Sequence, residues 1–240
     1  MRRFLGSLLD KTLVNLVYHV ESRVKLKKGT PDKPNVYNEL MERAIKRSAD
    51  YVETHLSSVL LFYNRNQMWD YAASQITLNG LNIEFGVHKG DSINYLAKKL
   101  NSRQAVIFGF DSFEGLQEDW KASTSPKGTF DLGGVLPLVR PNVTLVKGWF
   151  DKTLPPFLAR ETEKVAFLHL DADTYETTLY LLTMLNPRIV PGTLLLFDEY
   201  IGYPGWEHGE FKAFKELVEK ESRSYEYLAF SHLQALVRIK

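Results

Sequence analysis

Residues 81–96 read Leu-Asn-Ile-Glu-Phe-Gly-Val-His-Lys-Gly-Asp-Ser-Ile-Asn-Tyr-Leu, and this stretch decides the fold of the chain. The apolar run from Ile83 to Val87 predicts a strand, and apolar residues at helical spacing after Gly90 predict a helix. Gly86 and Gly90 let the backbone turn tightly and approach a ligand. A strand, a tight turn and a helix in this order are typical of the edge of a parallel α/β sheet at which nucleotide-like ligands bind.

Strands and helices alternate through the rest of the chain. The predicted strands are 82–87, 105–110, 143–147, 164–170, 193–197, 225–229 and 235–239, and the predicted helices between them are 92–99, 157–161, 175–185 and 210–221. This alternation predicts an α/β fold with a mostly parallel sheet and helices on both faces. The last two strands have no helix between them and are expected to form an antiparallel hairpin at the sheet edge.

The region before the first strand has a helical pattern. Amphipathic helices are predicted over residues 1–28, 37–61 and 66–76, with a two-proline loop at 29–34. We expect residues 1–75 to form a helical cap that covers the site or an oligomerisation surface for a homodimer, and residues 76–240 to form the α/β domain. Membrane-surface anchoring by the first helix is the less favoured alternative.

The bulk composition excludes several classes of protein. The chain has 240 residues, is 44% hydrophobic and carries a net charge of +1, so nothing in the totals indicates a nucleic-acid partner. The absence of cysteine excludes disulfides and thiolate metal sites. Apolar runs are too short for a transmembrane helix. Because Asp10 and Lys11 interrupt the N-terminal apolar part and no small-residue cleavage site follows, a cytoplasmic location is expected.

Polar residues follow the ends of the predicted strands. They are Asp111-Ser112, Gly148-Trp149, Asp171-Ala-Asp173 and Asp198-Glu199. The carboxyl ends of parallel strands meet at one edge of a sheet, so these groups are expected to converge. Asp111 is placed to accept hydrogen bonds from ribose hydroxyls; a helix N-cap by Asp111 or Ser112 is the structural alternative.

The four carboxylates at 171, 173, 198 and 199 predict a site for a hard divalent cation, Mg²⁺ first, that could bind a substrate hydroxyl. N-capping and solvation are the alternative, which suits Asp173 and Glu199 best. Among the histidines, His88 is a possible ligand contact and His169 a core residue. His208 follows the acidic pair and is a candidate base.

Five segments resemble the macrocin O-methyltransferase family. They are Glu84-Phe-Gly-Val-His-Lys-Gly-Asp-Ser92, Gly109-Phe-Asp-Ser-Phe-Glu-Gly-Leu116, Gly148-Trp-Phe-Asp-Lys-Thr-Leu-Pro155, Leu170-Asp-Ala-Asp-Thr-Tyr-Glu-Thr-Thr178 and Phe197-Asp-Glu-Tyr200. The resemblance covers about residues 64–215. It implies a Rossmann-like, seven-strand class I methyltransferase sheet with a final antiparallel strand, dependent on S-adenosylmethionine (SAM), in an enzyme that modifies hydroxyls in natural-product biosynthesis.

The resemblance also implies roles for individual residues. Glu84, Gly86, Gly90 and Ser92 would line the methionine end of SAM; Asp111 and Ser112 would hold the ribose; Trp149 and Phe150 would flank the adenine; Asp171, Asp198 and Glu199 would bind Mg²⁺. The proton of the acceptor hydroxyl would pass to Asp171, Asp173 or His208. The family often has two aspartates where this chain has Asp198-Glu199.

The predicted function is therefore a Mg²⁺-assisted, SAM-dependent O-methyltransferase acting on a hydroxyl of a small molecule such as a sugar. Two alternatives remain open at this point. One is a methyltransferase that works without a metal, and the other is a catalytically degenerate SAM-binding scaffold.

Overall fold

The computed structural model describes residues 35–101, 104–121 and 123–240. Helices span Val36–Glu53 (α1), Arg65–Gln75 (α2), Asp91–Leu100 (α3), Phe150–Arg160 (α4), Tyr175–Leu185 (α5) and Glu210–Lys220 (α6), with short 3-10 helices at Asn186–Arg188 and Trp206–His208. Strands span Leu60–Phe62 (β1), Leu81–Phe85 (β2), Ile107–Asp111 (β3), Val143–Lys147 (β4), Val165–Leu170 (β5), Leu194–Phe197 (β6), Tyr225–Ser231 (β7) and Gln234–Ile239 (β8).

The strands form one sheet in the order β1-β7-β8-β6-β5-β2-β3-β4. Strand β8 runs antiparallel to β6 and β7, and the other neighbouring pairs are parallel. This confirms the predicted α/β fold. On one side of β2 lie β3 and then β4, and on its other side lie β5 and then β6. The carboxyl ends of β2 and β5 therefore flank the topological switch point, where ligands bind in such sheets.

The central strands are apolar along their whole length because helices cover both faces of the sheet. All residues of β2, β5 and β6 are buried. One apolar cluster includes Phe85, Leu168 and Leu170, and a second includes Ile93 and Phe167. Alternate residues of the strands thus supply cores on opposite faces, as the pleat of a strand requires.

The predicted helix over residues 37–61 was too long. Helix α1 ends at Glu53, and Leu60–Phe62 form an eighth strand that pairs in parallel with β7. The β7–β8 hairpin is confirmed, but it does not lie at the sheet edge because β1 lies outside it. The predicted start of α4 at residue 157 was too late, since the helix begins at Phe150 and contains Pro155 and Pro156.

Residues Leu40–Lys240 form one compact unit, and within it Ser48 and Tyr51 of α1 make hydrogen bonds to the rest of the unit. The Ser48 hydroxyl accepts a hydrogen bond from the Gly202 N–H at 2.8 Å, and the Tyr51 and Tyr227 hydroxyl oxygens are 2.7 Å apart. The predicted helix over 1–28 and the loop at 29–34 lie outside the described residues. The oligomerisation role of residues 1–75 stays a prediction. Within the described ranges, the helices are all too short or too polar to cross a membrane.

Candidate active site

A cavity of about 1060 Å³ opens at the carboxyl ends of the central strands. Nine of the residues singled out in the sequence line it, namely Gly86, His88, Asp111, Ser112, Trp149, Phe150, Asp171, Asp173 and Glu199. They follow β2, β3, β4, β5 and β6, so the expected convergence of strand ends produces one shared site. Gly86 has a φ of +88°, and a Cβ there would lie 1.9 Å from the Asp171 carbonyl oxygen. A side chain at this position would therefore collide with the backbone that follows β5.

Asp111 is held by three backbone N–H groups. Its Oδ2 accepts hydrogen bonds from Val87 at 2.9 Å and His88 at 2.7 Å, and its Oδ1 accepts one from Phe113 at 2.7 Å. No helix begins here, so the N-cap alternative does not apply. A carboxylate oxygen takes about two hydrogen bonds, which leaves room on Oδ1 for a ligand hydroxyl. The turn after β2 and the loop after β3 are thereby fixed around one acceptor that faces the cavity.

Glu84 and Ser92 lie beneath the cavity and not in its lining. The fully buried Glu84 carboxylate accepts a hydrogen bond from the Ser92 hydroxyl at 2.8 Å and lies 2.9 Å from Nδ1 of His169. Gly90 also lies outside the lining, and its φ of +85° serves the turn into α3. Glu84 and Gly86 thus have different physical roles: Glu84 is a buried anchor, and Gly86 allows a close approach of two backbone segments.

His169 is buried between two carboxylates. Its Nδ1 faces Glu84, and its Nε2 is 3.5 Å from Asp198 Oδ1, which is an ionic contact and not a well-formed hydrogen bond. Burial opposes a charge on the ring, but Asp198 and Glu84 outweigh it and raise the pKa of His169 to about 10. The core histidine expected from the sequence is therefore an imidazolium that joins β2 to the end of β6.

Asp171, Asp173 and Glu199 form an acid cluster at the cavity floor. One carboxylate oxygen from each lies within 4.8 Å of the other two. Burial, followed by repulsion from neighbouring carboxylates, raises the pKa of Asp173 to about 7 and raises the pKa of Asp171 and of Glu199 well above their usual values. Asp173 also has a left-handed backbone with φ of +60°. Such unrelieved repulsion and backbone strain at one place are typical of functional sites.

Asp198, predicted as a metal ligand, is not part of this cluster. Its Oδ2 is 2.6 Å from Nη2 of Arg65, and its Oδ1 accepts a hydrogen bond from the Gln234 side chain. Neighbouring residues at the end of a strand direct their side chains to opposite sides. Asp198 consequently contacts the buried histidine and Arg65, whereas Glu199 faces the cavity beside Asp173.

His208, predicted as a candidate base, is exposed on the 3-10 helix Trp206–His208 and lies outside the cavity lining. Trp206 is the residue of that turn that packs into the core. The chain reaches the site two residues later, at Glu210. This fully buried carboxylate accepts hydrogen bonds from the N–H groups of Ala172 at 3.4 Å and Glu199 at 3.1 Å, and burial raises its pKa to about 8.

Two residues of the site, Arg65 and Glu210, were missed in the sequence. Arg65 begins α2 and lines the cavity. The signal for it was a lone cation at the start of a helix that is otherwise neutral or apolar on its buried side. Glu210 looked like an ordinary acid in the first turn of a helix, which is a favourable position near the positive helix end.

The outer part of the cavity is bounded by a loop and a helix. The loop after β3 contributes Glu114, Gly115, Leu116, Gln117, Glu118, Trp120, Lys127, Gly128 and Phe130. Helix α5 and the turn before it contribute Thr174, Glu176, Thr177 and Tyr180. The Trp120 ring lies 5.7 Å from the ring of Tyr203. These side chains form the outer wall of the cavity beside the acid cluster.

Comparisons with known proteins agree with this geometry. Residues 83–200 match the family described as "Methyltransferase domain". The chain is 33% identical over 138 residues to 8-demethyl-8-(2,3-dimethoxy-alpha-L-rhamnosyl)-tetracenomycin-C 4'-O-methyltransferase of Streptomyces olivaceus, covering 49% of this chain and 52% of that protein. It is 28% identical over 142 residues to demethyldecarbamoylnovobiocin O-methyltransferase of Streptomyces niveus, covering 51% and 53%. The chain thus spans about half the length of these curated relatives.

Solved structures share the fold over more of the chain. The calicheamicin methyltransferase CalS11 has a TM-score of 0.59 at 23% identity, covering 89% of this chain and 96% of its own. The O-methyltransferase NovP has a TM-score of 0.55 at 21% identity, covering 72% and 78%. At these identities the likeness shows the methyltransferase fold alone, and the specific resemblance to macrocin O-methyltransferases stays a prediction.

Proposed function

We propose that this chain is a SAM-dependent O-methyltransferase that acts on a hydroxyl of a small molecule, such as the sugar of a glycosylated natural product. The observation that carries the proposal is that five of the predicted SAM residues line the same cavity as the acid cluster, namely Gly86, Asp111, Ser112, Trp149 and Phe150. The names of the curated relatives, which are O-methyltransferases of tetracenomycin and novobiocin intermediates, support the acceptor class.

The cofactor half of the cavity is formed by residues after β2, β3 and β4. Asp111, with a free position on Oδ1, would bind a ribose hydroxyl, and Ser112 lies beside it. Trp149 and Phe150 would flank the adenine. Gly86 lets the backbone approach the methionine end. When bound here, SAM supplies a methyl group on a sulfonium sulfur, which leaves as a neutral thioether when an oxygen attacks the carbon.

The acceptor half would align the hydroxyl and take its proton. In the reaction without a metal, Asp171 or Asp173 is the proposed base, because both line the cavity and their raised pKa values bring them closer to the pH at which a base is efficient. The remaining acceleration would come from holding the two reactants in line in a site with fixed charges.

The acid cluster fits a Mg²⁺ ion. Oxygen ligands at this spacing suit a hard cation. Glu199 Oε2 is buried and has no hydrogen-bond partner among the described residues, which is the state of a ligand atom that requires a cation. Asp171, Asp173 and Glu199 would hold the ion, which would lower the pKa of a bound hydroxyl. A reaction without metal is the second candidate, and it is favoured by Arg65, whose Nη2 already lies 3.8 Å from Glu199 Oε1.

Calorimetry with SAM tests the proposal. The wild type should bind SAM, Asp111→Asn should bind it at least tenfold more weakly through loss of a charge-assisted bond of about 1.5–3 kcal/mol, and Asp131→Asn, which changes an exposed acid, should bind normally. A wild type that does not bind SAM would refute the proposal. Methyl transfer from labelled SAM to methyl rhamnoside and related glycosides then tests turnover. Loss of turnover in EDTA, restored by Mg²⁺, would support the metal, and turnover that EDTA leaves unchanged would remove it.

A further inference from the structure

Arg65 is held in place by the helix that it begins. The Asn64 side chain caps α2 by accepting a hydrogen bond from the Gln67 N–H at 3.1 Å, and Met68 and Trp69 are buried in the core. The backbone of Arg65 is thus fixed relative to the sheet, although this residue precedes the segment 83–200 that matches the methyltransferase family. Its side chain is 44% exposed and lines the cavity.

The guanidinium of Arg65 reaches two neighbouring carboxylates that differ in role. It is 2.6 Å from Asp198 Oδ2 and 3.8 Å from Glu199 Oε1. Asp198 is also held from its other side by Gln234 and His169. The arginine is therefore attached to a fixed buried acid, and its positive charge lies beside one of the three carboxylates of the acid cluster.

We propose that Arg65 sets the affinity of the acid cluster for divalent cations. It does so in two ways: it pairs with Asp198 next to the cluster, and it places a positive charge close to Glu199. The inference rests on the cation site of the proposed function, and it is independent of whether methyl transfer occurs. With Arg65 in place, a cation is bound against the repulsion of the guanidinium; without it, Asp198 and Glu199 would both attract the cation unopposed by that charge.

The size of the effect follows from Coulomb's law. A doubly charged ion in the cluster and a guanidinium about 6 Å away repel by roughly 1.4 kcal/mol in water-like screening, which corresponds to about tenfold in the dissociation constant. The half-exposed position of Arg65 justifies the high dielectric.

The experiment measures Mn²⁺ binding to the full chain without SAM, by the electron paramagnetic resonance signal of free Mn²⁺. Arg65→Gln should bind Mn²⁺ about tenfold more tightly than the wild type, and Arg65→Lys, which keeps the charge, should stay within about threefold of it. Arg47→Gln is the matched control, because Arg47 is an exposed arginine paired with Glu207 outside the cavity lining. Arg65→Met, which keeps the apolar stem, replaces Arg65→Gln if that variant does not fold.

The double variant Arg65→Gln/Asp173→Asn locates the effect. Its affinity for Mn²⁺ should be no higher than that of the wild type, because Asp173 is one of the three proposed ligands. Three results would each overturn the proposal. They are an Arg65→Gln variant that binds Mn²⁺ no more tightly than the wild type, a double variant that still binds Mn²⁺ more tightly than the wild type, and an Arg47→Gln variant whose affinity rises as much as that of Arg65→Gln. SAM calorimetry on the same samples separates this result from the proposed function: a chain that binds SAM but shows no change in Mn²⁺ affinity fails only the inference about Arg65.

Discussion

Replacing His169 by glutamine tests whether a charged histidine joins the two buried carboxylates beneath the cavity. The ring is fully buried, with Nδ1 2.9 Å from Glu84 and Nε2 3.5 Å from Asp198. Glutamine retains a hydrogen-bond donor of similar size and removes the charge. Asp198 would then keep Arg65 as its charged partner, and Glu84 would lose its charged partner. Breaking a buried ion pair typically costs about 3–5 kcal/mol.

The pH dependence gives the sharper expectation. The pKa of His169 is about 10 in the folded chain against 6.5 for an ordinary histidine. Because the folded-state pKa is raised, the stabilisation is complete below pH 6.5 and is lost as the pH rises toward 10. The shift corresponds to about 5 kcal/mol in total, and the stabilisation falls by about 1.4 kcal/mol for each pH unit within that window.

Urea denaturation of the wild type and His169→Gln in EDTA at pH 7, 8 and 9 measures this directly. The difference in the free energy of unfolding should be about 3–5 kcal/mol at pH 7 and should shrink by about 1.4 kcal/mol per unit. His208→Gln, an exposed histidine, serves as the control and should change stability little at any of these values. A difference that stays constant from pH 7 to 9 would mean that His169 is neutral, and the ion-cluster reasoning would be wrong.

Two further substitutions test the site. Gly86→Ala should lower SAM affinity at least tenfold and lower the free energy of unfolding by more than about 2 kcal/mol, because its Cβ would collide with the Asp171 carbonyl. Gly133→Ala is the control: Gly133 has a positive φ but nothing within 4 Å of the added Cβ, so this change should cost only about 1–2 kcal/mol. Calorimetry measures the SAM affinity of both variants, and urea denaturation measures their stability. Glu210→Gln does not titrate, so its unfolding free energy should improve relative to wild type as the pH rises from 5 to 8, since the pKa of Glu210 is raised to about 8 and the wild type loses stability across that range. Glu210→Ala should show the same trend with pH but should be about 2–4 kcal/mol less stable than Glu210→Gln, because it leaves two buried N–H groups unpaired.

The convergence of the site residues at the carboxyl ends of the strands could be predicted from the sequence, because it depends only on the strand topology. Asp111, Asp171 and Glu199 each follow an apolar strand, and parallel strands bring such positions together whatever the details of packing. The choice between Asp173 and Asp198 as the third member of the cluster could not be predicted in this way. It depends on which side of the strand end each side chain faces, and on a contact to Arg65, which is distant in the sequence.

Strand β1 shows a different limit. The apolar residues of Val59-Leu-Leu-Phe-Tyr63 continue the helical spacing of the preceding helix, so the sequence predicted a helix as far as residue 61. These residues form a strand because they pair with β7. A three-residue edge strand has little propensity of its own, so tertiary contacts decide it. Likewise, His169 was expected in the core, but its charge depends on Glu84 and Asp198 and not on its own strand.

The acids of this site fall into two groups that differ in how their charge is balanced. The lower group, Glu84 and Asp198, is balanced by His169 and Arg65, and the pKa of Asp198 is lowered by them despite its burial. The upper group, Asp171, Asp173 and Glu199, has only the 3.8 Å contact from Arg65 to Glu199 among the described residues, and its pKa values are raised. The lower group joins the strand ends through paired charges. The upper group gains most from a cation or a proton, because either one reduces the repulsion among its carboxylates. Under the proposed function, the acceptor hydroxyl would supply that proton, or a bound cation that charge, at the point where the reaction would occur.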